Sequence, residues 1–452
     1  MPLNSRQFET FQRIVAIPSP FTQIDPVGDE TELQETIWGM LEDPSVRLSK
    51  QVINEGQNRF NIIAQKGATI EEAKYVVMVY VHTDTIKKKF QWKDMIDYKL
   101  VRDGDLLRGI GAYDMKAGVM LLIDLLQTVE LPEGVTLVGA FCCGEERDSD
   151  GIRKLMEWPH IHRVNVVHSP EIGAMGNDPR DDSIMLEKDY PKDIIVGRPG
   201  NVKSNLVVTV QDSHAYKTDV PDAVDAWRHL ANHLKQQLSD RTVSKTLEHP
   251  DFGKEFLRFR HANTAEAGEF ESVATEMRSR LAIRIHPPTS IESIRVWQQN
   301  ALDLLVRSEH WSDYGIDAQF TEAGMSYNPY IIRTDSPDVL AVANAVEEHY
   351  GAYRFSVSQA IADGAFGHFE MNRRRGIVEP RDFNQYAVGQ VRPHDQPVPE
   401  HYVPWLDIGP LGQGAHKKSE RVYEESLVKL IEFYRQYLID YLLRYLNKKE
   451  GA

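Results

Sequence analysis

The sequence predicts an α/β fold: a mainly parallel sheet covered by helices, with a smaller α/β domain inserted into the chain. Three observations predict it. Two apolar runs of strand length, YVVMVYV at 75–81 and VTLVGAFCC at 135–143, flank a long helical pattern, KAGVMLLIDLLQTVEL, that starts at 116. Near 197–205 the segment GRPGNVKSN breaks this alternation, and a separate block of strands and helices follows it. Beyond that block the helical pattern returns with SPDVLAVANAVEEHYG.

The first two strands read as continuous apolar runs, which is how strands buried on both faces look, and helices between them imply parallel pairing. Ligands of such sheets gather at the carboxyl ends of the strands. Ahead of them, FETFQRIVAI and ELQETIWGMLED carry apolar residues at helical spacing. The inserted block runs LVVTVQ (strand), PDAVDAWRHLANHLKQQL (helix), VATEMRSRLAIRI (strand) and SIESIRVWQQNALDLLV (helix), roughly 110 residues and enough for a small domain. We therefore expect an inserted domain over 198–310 and a discontinuous larger domain made of 1–197 and 311–452. The chain closes on a helical pattern, ESLVKLIEFYRQYLIDYLLRYL. Residues 376–414 are rich in Pro, Gly and Gln with little periodicity, so a long functional or mobile loop is expected there.

Composition narrows the functional classes. With 452 residues, 41% hydrophobic and 26% charged, the chain is a folded protein of two or three domains rather than a disordered one. Its net charge of −15 repels phosphate backbones and anionic headgroups, so nucleic acid is not expected as a partner. The first residues, MPLNSRQFETFQRIV, have no basic stretch before an apolar core, and no run approaches the roughly 20 apolar residues of a membrane span. A cytoplasmic protein without a membrane partner is expected. Cys142 and Cys143 are adjacent and too few for a disulfide framework or a thiolate metal site, so they read as small apolar residues ending a strand.

Five short elements carry chemistry. His82-Thr-Asp84 follows the strand YVVMVYV, where a metal ligand would be placed and a carboxylate two residues on could hold the second ring nitrogen; a turn carboxylate beside a satisfied histidine looks the same. Asp114 stands in the glycine-bracketed loop GIGAYDMKAG just ahead of a helix, as a helix cap would, although capping does not explain so many glycines. Glu145 and Glu146 leave the strand VGAFCC side by side and repel each other unless a cation, or water, intervenes. Glu171 ends the run VNVVHSPE, and His416 in GQGAH, with Glu420 after it, precedes the last helix. Together they supply two histidines and several carboxylates at strand exits and helix entrances, which suits zinc.

The order and wording of these elements, VHTDT with Trp92 downstream, DGDLLRGIGAYDMKAGV, GEERDSDG, PE and GAHKKSE, resemble the co-catalytic di-zinc peptidase and deacylase family of aminoacylases, succinyl-diaminopimelate desuccinylase, glutamate carboxypeptidase and dipeptidases. The resemblance covers nearly the whole chain. It implies a catalytic domain with a mixed, mainly parallel sheet and an inserted dimerisation or lid domain. It also implies two zinc ions per chain, with cobalt or manganese as alternatives: His82 and Glu171 would bind one, Glu146 and His416 the other, and Asp114 would bridge them. Asp84 would orient His82, the Asp114–Met115 peptide would be cis, and Glu145 would be the general base. His214, after the strand LVVTVQDS, matches a histidine that reaches the partner subunit's active site and would help bind the oxyanion, so a homodimer through 198–310 is expected. Arg284 matches an arginine that can pair with a substrate carboxylate, and Asp363 in IADGAFG resembles an aspartate of a substrate-side loop.

The chain departs from the family in places. Glu271 and Ala274 stand where relatives carry asparagine and proline, and the lysine run 87–89 replaces a proline. His229 and His233 lie four apart on one helix but lack the general base of an HExxH site, and His160, His162, His168, His368 and His394 have no matching partner set. The expected reaction is hydrolysis of an amide in a dipeptide or short peptide, with an N-acyl amino acid as the alternative substrate and a catalytically silent metal-binding protein as the third reading.

Overall fold

A computed structural model describes residues 2–20, 30–53, 58–86, 98–147, 149–171, 192–210, 222–243, 248–249, 253–264, 275–287, 289–358, 360, 362–377, 397–417 and 419–450. It divides into two compact units, the larger holding Met1–Arg198 and most of the chain after Ile331, the smaller holding Pro199–Tyr330.

In the larger unit α1 (Ser5–Ala16) begins with a capping box, Asn4 accepting from the Gln7 amide while the Gln7 side chain accepts from the Asn4 amide. It is followed by α2 (Glu30–Met40) and by strands β1 (Val46–Val52), β2 (Phe60–Gly67) and β3 (Tyr75–His82). A small hairpin, β4 (Val101–Asp103) and β5 (Leu106–Arg108), precedes α3 (Ala117–Thr128), β6 (Val135–Cys142), α4 (Asp150–Met156), β7 (Val166–Ser169) and β8 (Lys192–Arg198). Every residue of β3, β6 and β7 is buried, which is why these strands read as unbroken apolar runs. Beyond β6 the sheet continues with antiparallel β2 and ends at the edge strand β1, whose sequence VRLSKQV has nothing to separate it from a polar loop.

The smaller unit builds a four-stranded antiparallel sheet in the order β12 (Phe256–Thr264), β13 (Glu276–Ile285), β9 (Gly200–Val210), β14 (Ile316–Glu322). Helices α5 (Ala223–Val243) and α6 (Ile291–Ser308) pack on it through Leu230, Leu234, Ile294 and Leu302. A short ladder of β10 (Glu248–His249) and β11 (Gly253–Lys254) lies apart. The expected end of the insertion at 310 is corrected to 330, because β14 pairs with β9 from Ile316 to Glu322 and belongs to this sheet.

The chain then supplies β15 (Tyr330–Ile331), α7 (Pro337–Tyr350), β16 (Tyr353–Val357), α8 (Gly364–Arg374), β17 (Trp405–Asp407), β18 (Gly412–Gln413), β19 (Arg421–Tyr423), α9 (Glu424–Gln436) and α10 (Leu442–Glu450). The main sheet runs β1-β2-β6-β3-β7-β17-β8 and onward to β15, with β16 pairing β8. It is mixed: β6·β3, β3·β7, β7·β17 and β8·β16 are parallel, and β1·β2, β2·β6 and β17·β8 are antiparallel. One expectation fails here. Within the supposed loop 376–414, Trp405–Asp407 is a central strand, too short for any periodicity to betray it. Among the described residues no helix is long and apolar enough to cross a membrane.

Candidate metal centre

Parallel pairing sets His82 of β3 opposite Cys142 of β6 and Val79 opposite His168 of β7, so three strands end along one edge. His82 is the last residue of β3, Glu145 and Glu146 follow β6 after Gly144, and Glu171 stands two residues beyond β7. Asp114 sits in a kinked turn, Ala112–Lys116, ahead of α3, and its peptide to Met115 is cis. Gly111 before it has φ 73°, and a Cβ there would meet the Thr85 methyl at 2.3 Å, so the loop needs glycine. His416 itself adopts a left-handed backbone, φ 63°, in the turn after β18.

These loops converge. His82 Nε2 lies 3.1 Å from Asp114 Oδ1, and His416 Nε2 lies 3.0 Å from Asp114 Oδ2 and 2.7 Å from Glu146 Oε1. Three overlapping sets have ligand atoms within 4.8 Å of one another: His82-Asp114-Glu171, Asp114-Glu146-His416 and His82-Glu145-Glu146. Burial pushes the carboxyls of Glu145 and Glu146 up, with neighbouring carboxylates adding to it. Burial likewise raises Glu171 to about 7, against the pull of Arg198. For the histidines burial opposes protonation but loses: Asp114 and Asp84 hold His82 well above its usual range, and Asp114 and Glu146 raise His416 to about 11. Asp114 is held low by both histidines in spite of its burial. Two imidazoles thus face crowded buried carboxylates, as expected of donors arranged for cations. The donor set of two imidazoles and three carboxylates, one of them shared, fits a pair of divalent ions.

A second layer fixes this cluster. Asp84, expected to orient His82 through its carboxylate, has both carboxylate oxygens accepting backbone amides, those of Glu145 and Glu146 at 3.0 and 2.9 Å. His82 Nδ1 is nearer the Asp84 carbonyl oxygen, at 3.1 Å, than the carboxylate, at 3.4 Å. The buried Glu420 carboxylate accepts the amides of Gly111, Tyr113 and Asp114 at 2.9 to 3.0 Å, tying the His416 turn to the Asp114 loop. Arg198 joins Glu171 to Asp407. Sequence reasoning gave no role to Arg198, Asp407 or Glu420; Glu420 alone offered a signal, by its place behind His416.

Other expectations fare differently. Asp363, expected on a substrate-side loop, is fully buried, accepts from the Tyr80 hydroxyl of β3, and lies close enough to Glu145 to act on its carboxyl electrostatically. Arg284 is partly exposed on β13 of the smaller unit, its guanidinium 5.2 Å from the centre of the Phe256 ring. His214, Trp92, the lysine run 87–89, Glu271, Ala274 and His394 lie outside the described residues. His229 is exposed and 3.7 Å from Glu309, and His168 is buried between Tyr434 and Tyr437, where burial lowers it to about 3. Among the described residues the only sets of metal-ligand type are the three above. Cys142 and Cys143 are free and buried, as expected.

The family model described as peptidase family M20/M25/M40 matches residues 78–378. No curated protein sequence matches the chain. Solved structures do. A tripeptidase from Staphylococcus aureus is 16% identical over 97% of this chain and 98% of its own, with a TM-score of 0.64. A dipeptidase from Saccharomyces cerevisiae is 15% identical over 96% and 95%, with a TM-score of 0.66. A dinuclear metal-binding peptidase from Bacillus subtilis is 13% identical over 96% of each chain, with a TM-score of 0.56. At such identities the likeness is one of fold.

Proposed function

Because the chain belongs to peptidase family M20/M25/M40, and is by that membership a metallopeptidase-type hydrolase, we propose that it cleaves the amide bond of a dipeptide or short peptide at a centre of two zinc ions. The observation that carries this reading is the sharing of Asp114 between two ligand sets, His82-Asp114-Glu171 and Asp114-Glu146-His416. Bound there, such ions would supply Lewis acidity toward a carbonyl and lower the pKa of water. The chain's own contribution is the placement and the proton traffic. Glu145, whose amide is pinned by Asp84, takes a proton from the attacking water on its carboxylate and returns it to the leaving amine. Asp84 keeps Glu145 and Glu146 in step with His82.

The test is to load the protein with zinc, count equivalents by elemental analysis, and incubate it with libraries of dipeptides and N-acyl amino acids while following amine release by mass spectrometry. About two tight equivalents, as five ligands with one shared would hold, and release from dipeptides are expected. Release only from N-acyl amino acids would make it a deacylase with the same centre. No zinc retained after reconstitution would end the reading.

Substrate contact by Arg284 and completion of the site by His214 from the partner of a homodimer formed through the inserted domain belong to the same proposal. If His214 acts in trans, a Glu145→Ala chain has a histidine to lend to a His214→Ala chain. Mixing the two inactive variants with subunit exchange is expected to restore about a quarter of wild-type activity, since about half of random dimers are mixed and each has one sound site of two. No recovery after verified exchange would place His214 within its own chain's site or outside the reaction.

A further inference from the structure

Three strands of the main sheet that lie side by side, β7, β17 and β8, each end in or lead to a buried ion. Glu171 follows β7, Asp407 ends β17 directly opposite Ser169 of β7, and Arg198 ends β8. Arg198 and Asp407 are fully buried and Glu171 is 5% exposed. The guanidinium spans both acids: Nε donates to Asp407 Oδ2 at 2.6 Å and Nη2 donates to Glu171 Oε2 at 3.0 Å, while Nη1 donates to the Ala360 carbonyl at 3.3 Å. Three faces of one planar group are thus engaged, which fixes where it points. The strand pairing fixes Asp407 in turn, the Ile408 amide donating to the Ser169 carbonyl at 2.9 Å.

Neutralising Asp407 alone would require only a nearby cation. A fork that also engages Oε2 of Glu171 constrains the direction from which that carboxylate meets His82 and Asp114. Supporting hydrogen bonds of this kind orient ligands and set metal affinity. We propose that Arg198, braced by Asp407, is a positioning residue that aims Glu171 at the His82-Asp114-Glu171 set and so governs the affinity of one of the two metal ions and not the other. The inference rests on the reading of these sets as a di-metal centre.

The experiment measures the two zinc affinities separately, by competition with a chromogenic chelator, on the full chain. Glu171→Gln sets the scale for losing one site. Arg198→Lys keeps the charge but replaces the fork by a point donor, and it is expected to weaken one equivalent by roughly 10- to 100-fold while the other stays within about twofold. The double variant Arg198→Met with Asp407→Asn removes one positive and one negative charge together, leaving the charge sum around Glu171 as it was. It is expected to show the same selective loss, because position and not charge has been removed. If both variants keep two equivalents at wild-type affinity, Arg198 serves only to neutralise Asp407 and the inference is overturned. Equal weakening of both equivalents in Arg198→Lys overturns it as well. Should the double variant fail to fold, Arg198→Lys decides alone, its retained second equivalent reporting an intact centre. Wild-type protein that binds no zinc would instead defeat the functional reading beneath it.

Discussion

Glu145→Gln is expected to leave both metal equivalents in place and to cut turnover by about two to four orders of magnitude, the usual cost of losing a general base. The amide side chain keeps the size of the carboxylate but cannot accept a proton. The backbone of residue 145 should not move, because its N–H remains held by Asp84 Oδ1 at 3.0 Å. Burial and the nearby carboxylates of Asp363, Glu146 and Glu171 raise the Glu145 pKa, against the pull of His82. That environment suits a group that must take up a proton and release it again. Glu146→Gln makes the contrast: its carboxylate is 2.7 Å from His416 Nε2 and belongs to the second ligand set, so one metal equivalent should weaken along with the rate. Elemental analysis and single-turnover rates on both variants read this directly, and identical metal content with identical residual rates would show the two roles to be misassigned.

Much of this site was legible because metal chemistry leaves short marks beside strong structural signals. His82, Glu145 and Glu171 each follow an apolar run whose strand character is unambiguous, and Asp114 and His416 are bracketed by glycines that the backbone needs: φ is 73° at Gly111 and 72° at Gly414. The supporting layer was not legible. Asp407 lies in a three-residue strand inside a stretch rich in Pro, Gly and Gln, and Arg198 ends a strand beside a domain break, so neither carries a local pattern. Their meeting depends on the lateral order of β7, β17 and β8, which no linear spacing encodes. The same cause displaced the domain boundary, since β14 joins its sheet by pairing with a strand about a hundred residues earlier in the chain. The partner of Asp363 was hidden for the same reason, since the Tyr80 hydroxyl comes from a strand far earlier in the chain.

Asp114→Asn is expected to have the largest effect, weakening both metal equivalents together and reducing activity to background. The two oxygens of this carboxylate face different histidines, Oδ1 toward His82 at 3.1 Å and Oδ2 toward His416 at 3.0 Å, so one residue serves both ligand sets. Asparagine keeps one oxygen but turns the other acceptor into a donor, and it removes the charge shared by the two sites. The loop itself should persist, because Glu420 holds it through the amides of residues 111, 113 and 114 whatever the side chain of 114. The loss is therefore one of ligation. Removing a group that supports a ligand commonly costs about 10- to 100-fold in affinity, and removing a shared ligand should exceed that at each site. Equilibrium dialysis against buffered zinc, followed by rates on the dialysed protein, gives both numbers. A variant that keeps one tight equivalent would mean that Asp114 serves a single ion, and the two sets would then be neighbours without a common ligand.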